Sequence, residues 1–318
     1  MRILHWHVHG SWTTSFVHGP HTYLLPVLPD RGPDGRGRAR TWDWPASAVE
    51  LTPARLRDSD IDVVVLQRPE ELELCERWTG RRPGRDVPAV FVEHNAPQGR
   101  VNELRHPLAD RDDVTLVHVT HFNALFWDAG TTPITVIEHG IADPGHRWTG
   151  ELPHAAVVVN EPVRRGRVAG TDLLPRVAGA APLELFGMGV APLGGEAWCA
   201  AAHEDLPQER MHDEIARRAV YLHPFRWTSL GLALIEAMHL GMPIVALSTT
   251  EAPEAVPPEA GVVSNRIDTL REGLRRFTSD HEAAAAAGKA AREHALGRHG
   301  LRRFLDDWDR LLEEVTSR

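Results

Sequence analysis

The stretch His223-Pro-Phe-Arg-Trp-Thr-Ser-Leu-Gly-Leu-Ala-Leu-Ile-Glu-Ala-Met-His-Leu-Gly-Met-Pro-Ile-Val-Ala-Leu247 decides how this chain is read. It has the pattern of a strand end, a polar loop, an apolar helix with one acid, a Gly-Met-Pro turn and another strand. Residues 230–240 are apolar nearly all round, the mark of a buried helix, so Glu236 inside them is anomalous. A buried carboxylate is costly unless something hydrogen-bonds it. The helix opens at Thr228-Ser229-Leu230-Gly231, where hydroxyls and small residues leave backbone N–H groups to face an anion. Together these features suggest a nucleotide, with diphosphate at the helix start and ribose hydroxyls on the carboxylate. The plainer alternative is a crossover helix with Ser229 as N-cap and Glu236 paired to an arginine.

Outward from this stretch, short Val/Ile/Leu-rich runs alternate with helical segments: 3–9, 61–67, 89–93, 114–120, 134–138, 155–160, 183–186, 219–223 and 243–247. Continuous apolar runs suit parallel strands buried on both faces, and their alternation with helices predicts doubly wound α/β architecture. The turn-rich segment 143–153 lies near mid-chain, where a linker falls, so two Rossmann-like domains are expected, 1–150 and 151–300. The Arg31–Arg38 segment reads as a solvated loop tip. Ser279-Asp-His-Glu282 matches a capping box, and Gly297 reads as the stop of the helix it opens. After it, Leu301, Phe304, Leu305, Trp308, Leu311, Leu312 and Val315 hold helical spacing.

A length of 318 residues allows two cores. The formal net charge of -9 argues against a nucleic-acid partner. Cys75 and Cys199 stand far apart without metal-type spacing, which fits a reducing compartment. No apolar run approaches a membrane span and the N-terminus lacks a signal-peptide pattern, so a cytoplasmic protein is expected. Peripheral membrane contact needs only a surface patch and stays open.

Candidate ligand groups fall where strands end. Val8-His-Gly-Ser-Trp12 places Gly10 and Ser11 after the first strand, where backbone approaches a phosphate. His5, His7 and His9 would share one face of a strand, but no acid or cysteine cluster accompanies them and no metal is expected. Neither a dinucleotide glycine fingerprint nor a P-loop is present. His94 follows a buried strand and can meet substrate hydroxyls with either nitrogen. Arg164, Arg165 and Arg167 stand in an arginine loop, 160–170, suited to clamp a diphosphate. Phe186 and Gly187 close another strand in an apolar loop suited to a base. Each has an ordinary structural alternative: a loop histidine, a solvated basic loop, a strand-ending turn.

In this order the pieces resemble the retaining glycosyltransferases of the family-4 type, with the GT-B fold. The resemblance is strongest over 155–263, through Glu236-Ala-Met238, Gly241-Met-Pro-Ile-Val245 and Thr249-Thr-Glu-Ala-Pro-Glu254. Over 1–144 it is looser but collinear. It implies two Rossmann-like domains facing across a cleft, with the 301–318 helix crossing back onto the N-terminal one. It implies that Glu236 holds the ribose, and that the amides of Ser229, Leu230 and Gly231 hold the diphosphate. Gly10 would approach the diphosphate from the other domain. Arg164, with Arg165 or Arg167, would match the phosphate-binding arginine, and His94 the histidine near the donor sugar. Two positions depart from the family: Thr228 stands where the first of two paired acids belongs, and Ala169 where a phosphate-binding lysine does.

The implied activity is metal-independent transfer of a sugar, with retained configuration, from a UDP- or GDP-type donor to an unknown small-molecule, glycan or lipid acceptor. No permanently bound cofactor is expected. A sugar-nucleotide 2-epimerase of the same architecture is the enzymatic alternative, and a non-catalytic nucleotide-sugar-binding protein the other.

Overall fold

The structure is a computed structural model that describes residues 1–40 and 42–317. The chain divides into two compact units, Met1–Ile141 with Leu301–Arg318, and Ala142–Gly300. Arg318 lies outside the described residues.

The first unit runs β1 (Arg2–His5), α1 (Gly10–Phe16), β2 (Thr22–Pro26), β3 (Ala48–Leu51), α2 (Pro53–Arg57), β4 (Val63–Leu66), α3 (Glu70–Thr79), β5 (Ala89–Glu93), β6 (Thr115–His118), α4 (His121–Phe126) and β7 (Ile134–Val136). The second runs β8 (Leu152–Val158), α5 (Pro162–Ala169), α6 (Leu174–Val177), β9 (Leu183–Gly187), β10 (Cys199–Glu204), α7 (Gln208–Ala216), β11 (Arg218–His223), α8 (Leu232–Leu240), β12 (Ile244–Ala246), α9 (Ala252–Ala255), β13 (Gly261–Val263), α10 (Ile267–Ser279) and α11 (His281–Arg298). The last helix, α12 (Leu301–Thr316), belongs to the first unit.

Each unit is built on one parallel sheet, ordered β3-β2-β1-β4-β5-β6-β7 and β10-β9-β8-β11-β12-β13. Both are the doubly wound order, reversing between β1 and β4 in one and between β8 and β11 in the other. The side-chain period of a strand explains why these runs are apolar throughout. In β4, Val63 and Val65 enter the cluster that holds Trp12, Phe16 and α12, while Val64 and Leu66 enter the opposite one with Leu56, Leu74 and Cys75. From α12, Phe304, Trp308, Leu311, Leu312 and Val315 are buried. Trp308 lies 5.0 Å from Phe16 and 5.6 Å from Trp12 between ring centroids, both edge-on.

Several boundaries differ from the sequence reading. The division falls after Ile141 rather than at 150 because Arg147–Trp148 is stitched into the second unit. The N–H groups of both donate to Leu240 O, and Trp148 Nε1 donates to Arg218 O at 3.0 Å. The α11 cap is Asp280, which accepts from Ala283 N–H at 2.9 Å, because α10 already runs through Ser279. The helix passes through Gly297 and ends at Arg298. The Arg31–Arg38 loop is not merely solvated: Arg31 makes a two-bond pair with Glu50 of β3, and Arg38 bonds the carbonyls of Trp44, Pro45 and Ala48.

Candidate functional site

In the second unit the sheet order reverses between β8 and β11, and ligands of doubly wound sheets gather outside the carboxyl ends of strands at such a point. Two close approaches fix the loops there. A Cβ on Gly187 would lie 2.4 Å from Val159 O, and one on Gly170 would lie 1.9 Å from Pro224 O, so only glycine fits. Asn160 Oδ1 accepts from Met188 N–H at 2.9 Å, joining the loops after β8 and β9. The Arg226 guanidinium binds both oxygens of Asp172 and the Arg167 carbonyl, tying the loop after β11 to α5.

The start of α8 has no side-chain cap: its N-cap is Gly231, in extended backbone at φ -73 and ψ 122. Ser229 and Leu230 are buried, and Thr228 is half-buried. A Cβ on Gly231 would press on His223 Cε1 at 2.8 Å. His223 ends β11, and burial pushes its imidazole down to about 3, so it is neutral beneath the helix start. Glu236 is 6% exposed. Its partner is a histidine rather than the arginine of the plainer sequence alternative: Glu236 Oε2 lies 3.4 Å from His212 Nε2 on α7, which Gln208 also approaches at 2.7 Å. Beside them, burial and then the Glu236 charge push the Tyr221 hydroxyl far up, and that hydroxyl has no hydrogen-bond partner.

The arginines separate by their partners. Residues 160–170 form no open loop but a short helix broken at Gly166, where φ is 43 and ψ is -113. Arg164 is exposed beside Glu161 at 3.6 Å. Arg167 pairs with Asp172 at 3.0 Å, and Asp172 also holds Arg226. Arg165 is half-buried over the Phe225 ring at 5.2 Å, and burial, with Arg164 close by, lowers its affinity for a proton. Among the described ion pairs none involves Arg165, so this cation is not committed to an acid. Ala169, at the lysine position, is fully buried.

Phe186 needs correction as a base contact. It is fully buried, its ring stacked on His203 at 4.4 Å with the Arg218 guanidinium 5.1 Å away, and has no face open to a ligand. The apolar side chain exposed on that loop is Met188, at 47%. His212, Tyr221 and His223 were not singled out in the sequence. His223 carried a signal, as the polar end of the strand leading into the decisive loop.

In the first unit the reversal lies between β1 and β4. Gly10 opens α1, where a Cβ would meet only ordinary contacts, and Ser11 follows it; no side chain caps this start either. His94 stands just past β5 with Nε2 3.0 Å from Gln67 Oε1. Its ring centroid is 4.1 Å from that of His9 and 6.3 Å from that of His139. Burial, aided by both neighbouring rings, holds His94 well below the usual histidine range, and burial takes His9 to about 4. The His5, His7 and His9 run does not share a strand face, because β1 ends at His5. His5 is instead buried edge-on to Trp12, Phe16 and Tyr23. Among the described residues, no group of three His, Cys, Asp or Glu side chains is placed to hold a metal ion, and no helix is long and apolar enough to cross a membrane.

Residues 203–294, which contain α7, β11, α8 and β12, match the family described as glycosyl transferases group 1. No curated protein sequence shows a significant match to the chain. Among solved structures, it is similar to sucrose-phosphate synthase from Thermosynechococcus elongatus, with 12% identity, a TM-score of 0.74 and coverage of 100% of this chain and 99% of that one. It is also similar to Alr3699/HepE from Anabaena, solved with UDP and glucose, with 12% identity, a TM-score of 0.69 and coverage of 99% and 100%. Against TarM the identity is 14% and the TM-score 0.60, over 79% of this chain and 54% of that one, so the chain spans about half the length of TarM. The chain has the GT-B fold, and residues 203–294 of its second unit match the group 1 glycosyl transferase family.

Proposed function

We propose that the chain transfers a sugar from a nucleoside-diphosphate donor to an acceptor hydroxyl, with retention of configuration. One observation carries this reading: at the reversal point of the second sheet, α8 starts without a side-chain cap and holds a buried carboxylate, while Arg165 lies over Phe225 in the loop that leads into that helix and belongs to none of the described ion pairs. The amides at Ser229, Leu230 and Gly231 take the diphosphate oxygens, and Arg165 adds charge. Arg164 and Arg167, already beside acids, contribute less. Glu236 accepts from the ribose hydroxyls. Gly187 shapes the base loop, with Met188 rather than Phe186 as its apolar contact.

In the reaction the bond from the anomeric carbon to the diphosphate breaks as the bond to the acceptor oxygen forms on the same face. The acceptor proton leaves with the diphosphate. Arg165 and the start of α8 stabilise the charge that develops on the leaving group. HepE has been solved with UDP and with UDP-glucose, which makes UDP the first base to test. The acceptor class stays as broad as small molecule, glycan or lipid.

A non-catalytic nucleotide-sugar binder is favoured by Thr228 and by the buried Ala169, where the family has an acid and a lysine. Calorimetry with UDP, GDP and their glucose conjugates, followed by donor-hydrolysis assays, separates the readings. Transfer requires donor binding and slow hydrolysis without acceptor; binding with neither hydrolysis nor transfer selects the binder; no binding to any of them sinks both.

A further inference from the structure

We propose that Glu204 turns the loop after β9 into a surface of hydrogen-bond acceptors, so that this loop selects a nucleotide whose base donates, guanine, over uracil. The inference rests on the reading above for the presence of a nucleotide and adds the identity of its base; every residue it uses lies in the second unit.

The loop leaves the sheet at the carboxyl end of β9, which closes on Gly187. Its N–H groups are spent in sequence. Met188 N–H donates to Asn160 Oδ1 at 2.9 Å, Gly189 N–H to Glu204 Oε1 at 2.6 Å and Ala191 N–H to Glu204 Oε2 at 2.8 Å. The N–H of Val190, between them, also turns to the Glu204 carboxylate. Gly189 permits this wrap, because its φ of 74 lies in the left-handed region. Hydrogen bonds from Gly189 and Ala191 hold the Glu204 carboxyl below the usual carboxylate range, so it is ionised at neutral pH. Asp205 N–H, the next along, donates to Gly187 O at 3.1 Å and fastens the end of β10 to the start of the loop.

Four consecutive backbone donors are thus closed to a ligand, while acceptors stay open. A carboxylate has about four lone-pair sites and a carbonyl two, so the exposed Glu204 and the loop carbonyls still take N–H groups. Glu161, on the loop after β8, already has Arg164 at 3.6 Å; Glu204, whose partners are backbone N–H groups, is the principal acceptor. Guanine presents N1–H and its 2-amino group side by side, and a carboxylate meets them as a pair of charge-assisted bonds. Uracil presents one N3–H between two carbonyl oxygens. Drawn out of water onto this loop, those oxygens find no N–H among residues 188–191, and an unmatched acceptor is costly. Glu204 ends β10 at the sheet edge, two strands from β8 and the reversal, so it bears on the base rather than on the diphosphate.

The test titrates the full chain by calorimetry with GDP, UDP and inosine diphosphate, which keeps the purine ring and lacks the 2-amino group. GDP is expected to bind about tenfold or more tighter than UDP and about fivefold or more tighter than inosine diphosphate, the worth of one hydrogen bond. Glu204→Gln replaces one acceptor oxygen by an amide donor, and Glu204→Ala frees the loop N–H groups. In either variant, shown folded by thermal unfolding, the preference for GDP is expected to shrink to within about twofold. Equal binding of GDP and inosine diphosphate would assign any purine preference to ring area and overturn the inference. Tighter binding of UDP, or a GDP preference undiminished in folded Glu204→Gln, overturns it too. If neither variant folds, the wild-type order of the three nucleotides decides alone. A wild type that binds none of them overturns the reading beneath the inference as well.

Discussion

Replacing Glu236 with Ala separates the two roles that a buried acid in α8 can play. As the ribose ligand, Glu236 accepts a hydrogen bond from a ribose hydroxyl, worth about 1.5–3 kcal/mol for a carboxylate acceptor, so its removal weakens UDP binding on the order of tenfold to 150-fold. The cost to folding is small on this reading. At 3.4 Å the approach of His212 is long for a charge-assisted bond, which runs about 2.7–2.9 Å, and truncation also relieves the desolvation of a carboxylate that is 6% exposed. If the His212 pair is instead Glu236's purpose, breaking it costs about 3–5 kcal/mol. In a unit of this size that lowers Tm by about 6–20 °C. Calorimetric titration of UDP and thermal unfolding on one preparation decide between them. A Tm more than about 10 °C lower, with UDP affinity unchanged within about twofold, would refute the ribose assignment.

The arginine series should diverge. Arg165→Ala is expected to weaken UDP binding by roughly tenfold or more, as loss of one charge-assisted bond, while Arg164→Ala, beside Glu161, changes it by less than about threefold; equal effects in titration would remove the distinction. In the second unit, burial pushes Glu184 up, but hydrogen bonds from Arg218, His154 and His203 prevail and hold it at about 2. Its folded value is depressed, so the stability it supplies is full above the unfolded value near 4.5 and lost as pH falls towards 2. That amounts to on the order of 3 kcal/mol. Glu184→Gln should flatten that acid limb in denaturant titrations at pH 6 and pH 3, and an unchanged pH slope would count against it. Trp308→Ala, which empties a fully buried site against Trp12 and Phe16, should cost about 3–5 kcal/mol by chemical unfolding.

The sequence was most legible where burial is complete. β4, β5, β6, β11 and β12 need apolar side chains on both faces, and their continuous runs announce them. β3, β10 and β13 are sheet edges. Their residues are partly exposed, as in Cys199–Glu204 and Gly261–Val263, so no such run marks them. β2 lies inside its sheet, yet it ends on Pro26, which reads as a breaker. The backbone of the candidate site was legible in the sequence, and the partners of its side chains less so. Gly231, Gly187 and Glu236 stand out by type, whereas the pairing of Glu236 with His212 depends on how α7 and α8 pack. Phe186 was misplaced for a related reason: an aromatic residue at a strand end reads the same whether it turns to a ligand or, as here, into the sheet core beneath His203.

The two departures from the family pattern have a common electrostatic consequence. Around the reversal point of the second unit stand Arg164, Arg165, Arg167 and Arg226, against Glu161 and Asp172. Thr228 withholds a third acid from the loop after β11. Even with Glu236 counted, four arginines stand against three acids, so the balance on this face is positive without a lysine at Ala169. That balance suits a diphosphate, which needs compensating charge, and does little for a sugar, whose hydroxyls are recognised one by one through acceptors. It follows that Thr228→Glu should change selectivity among UDP-sugars more than affinity for UDP itself. If instead it abolished UDP binding while leaving sugar preference intact, the charge balance, and not the missing hydroxyl ligand, would be the reason Thr228 is there.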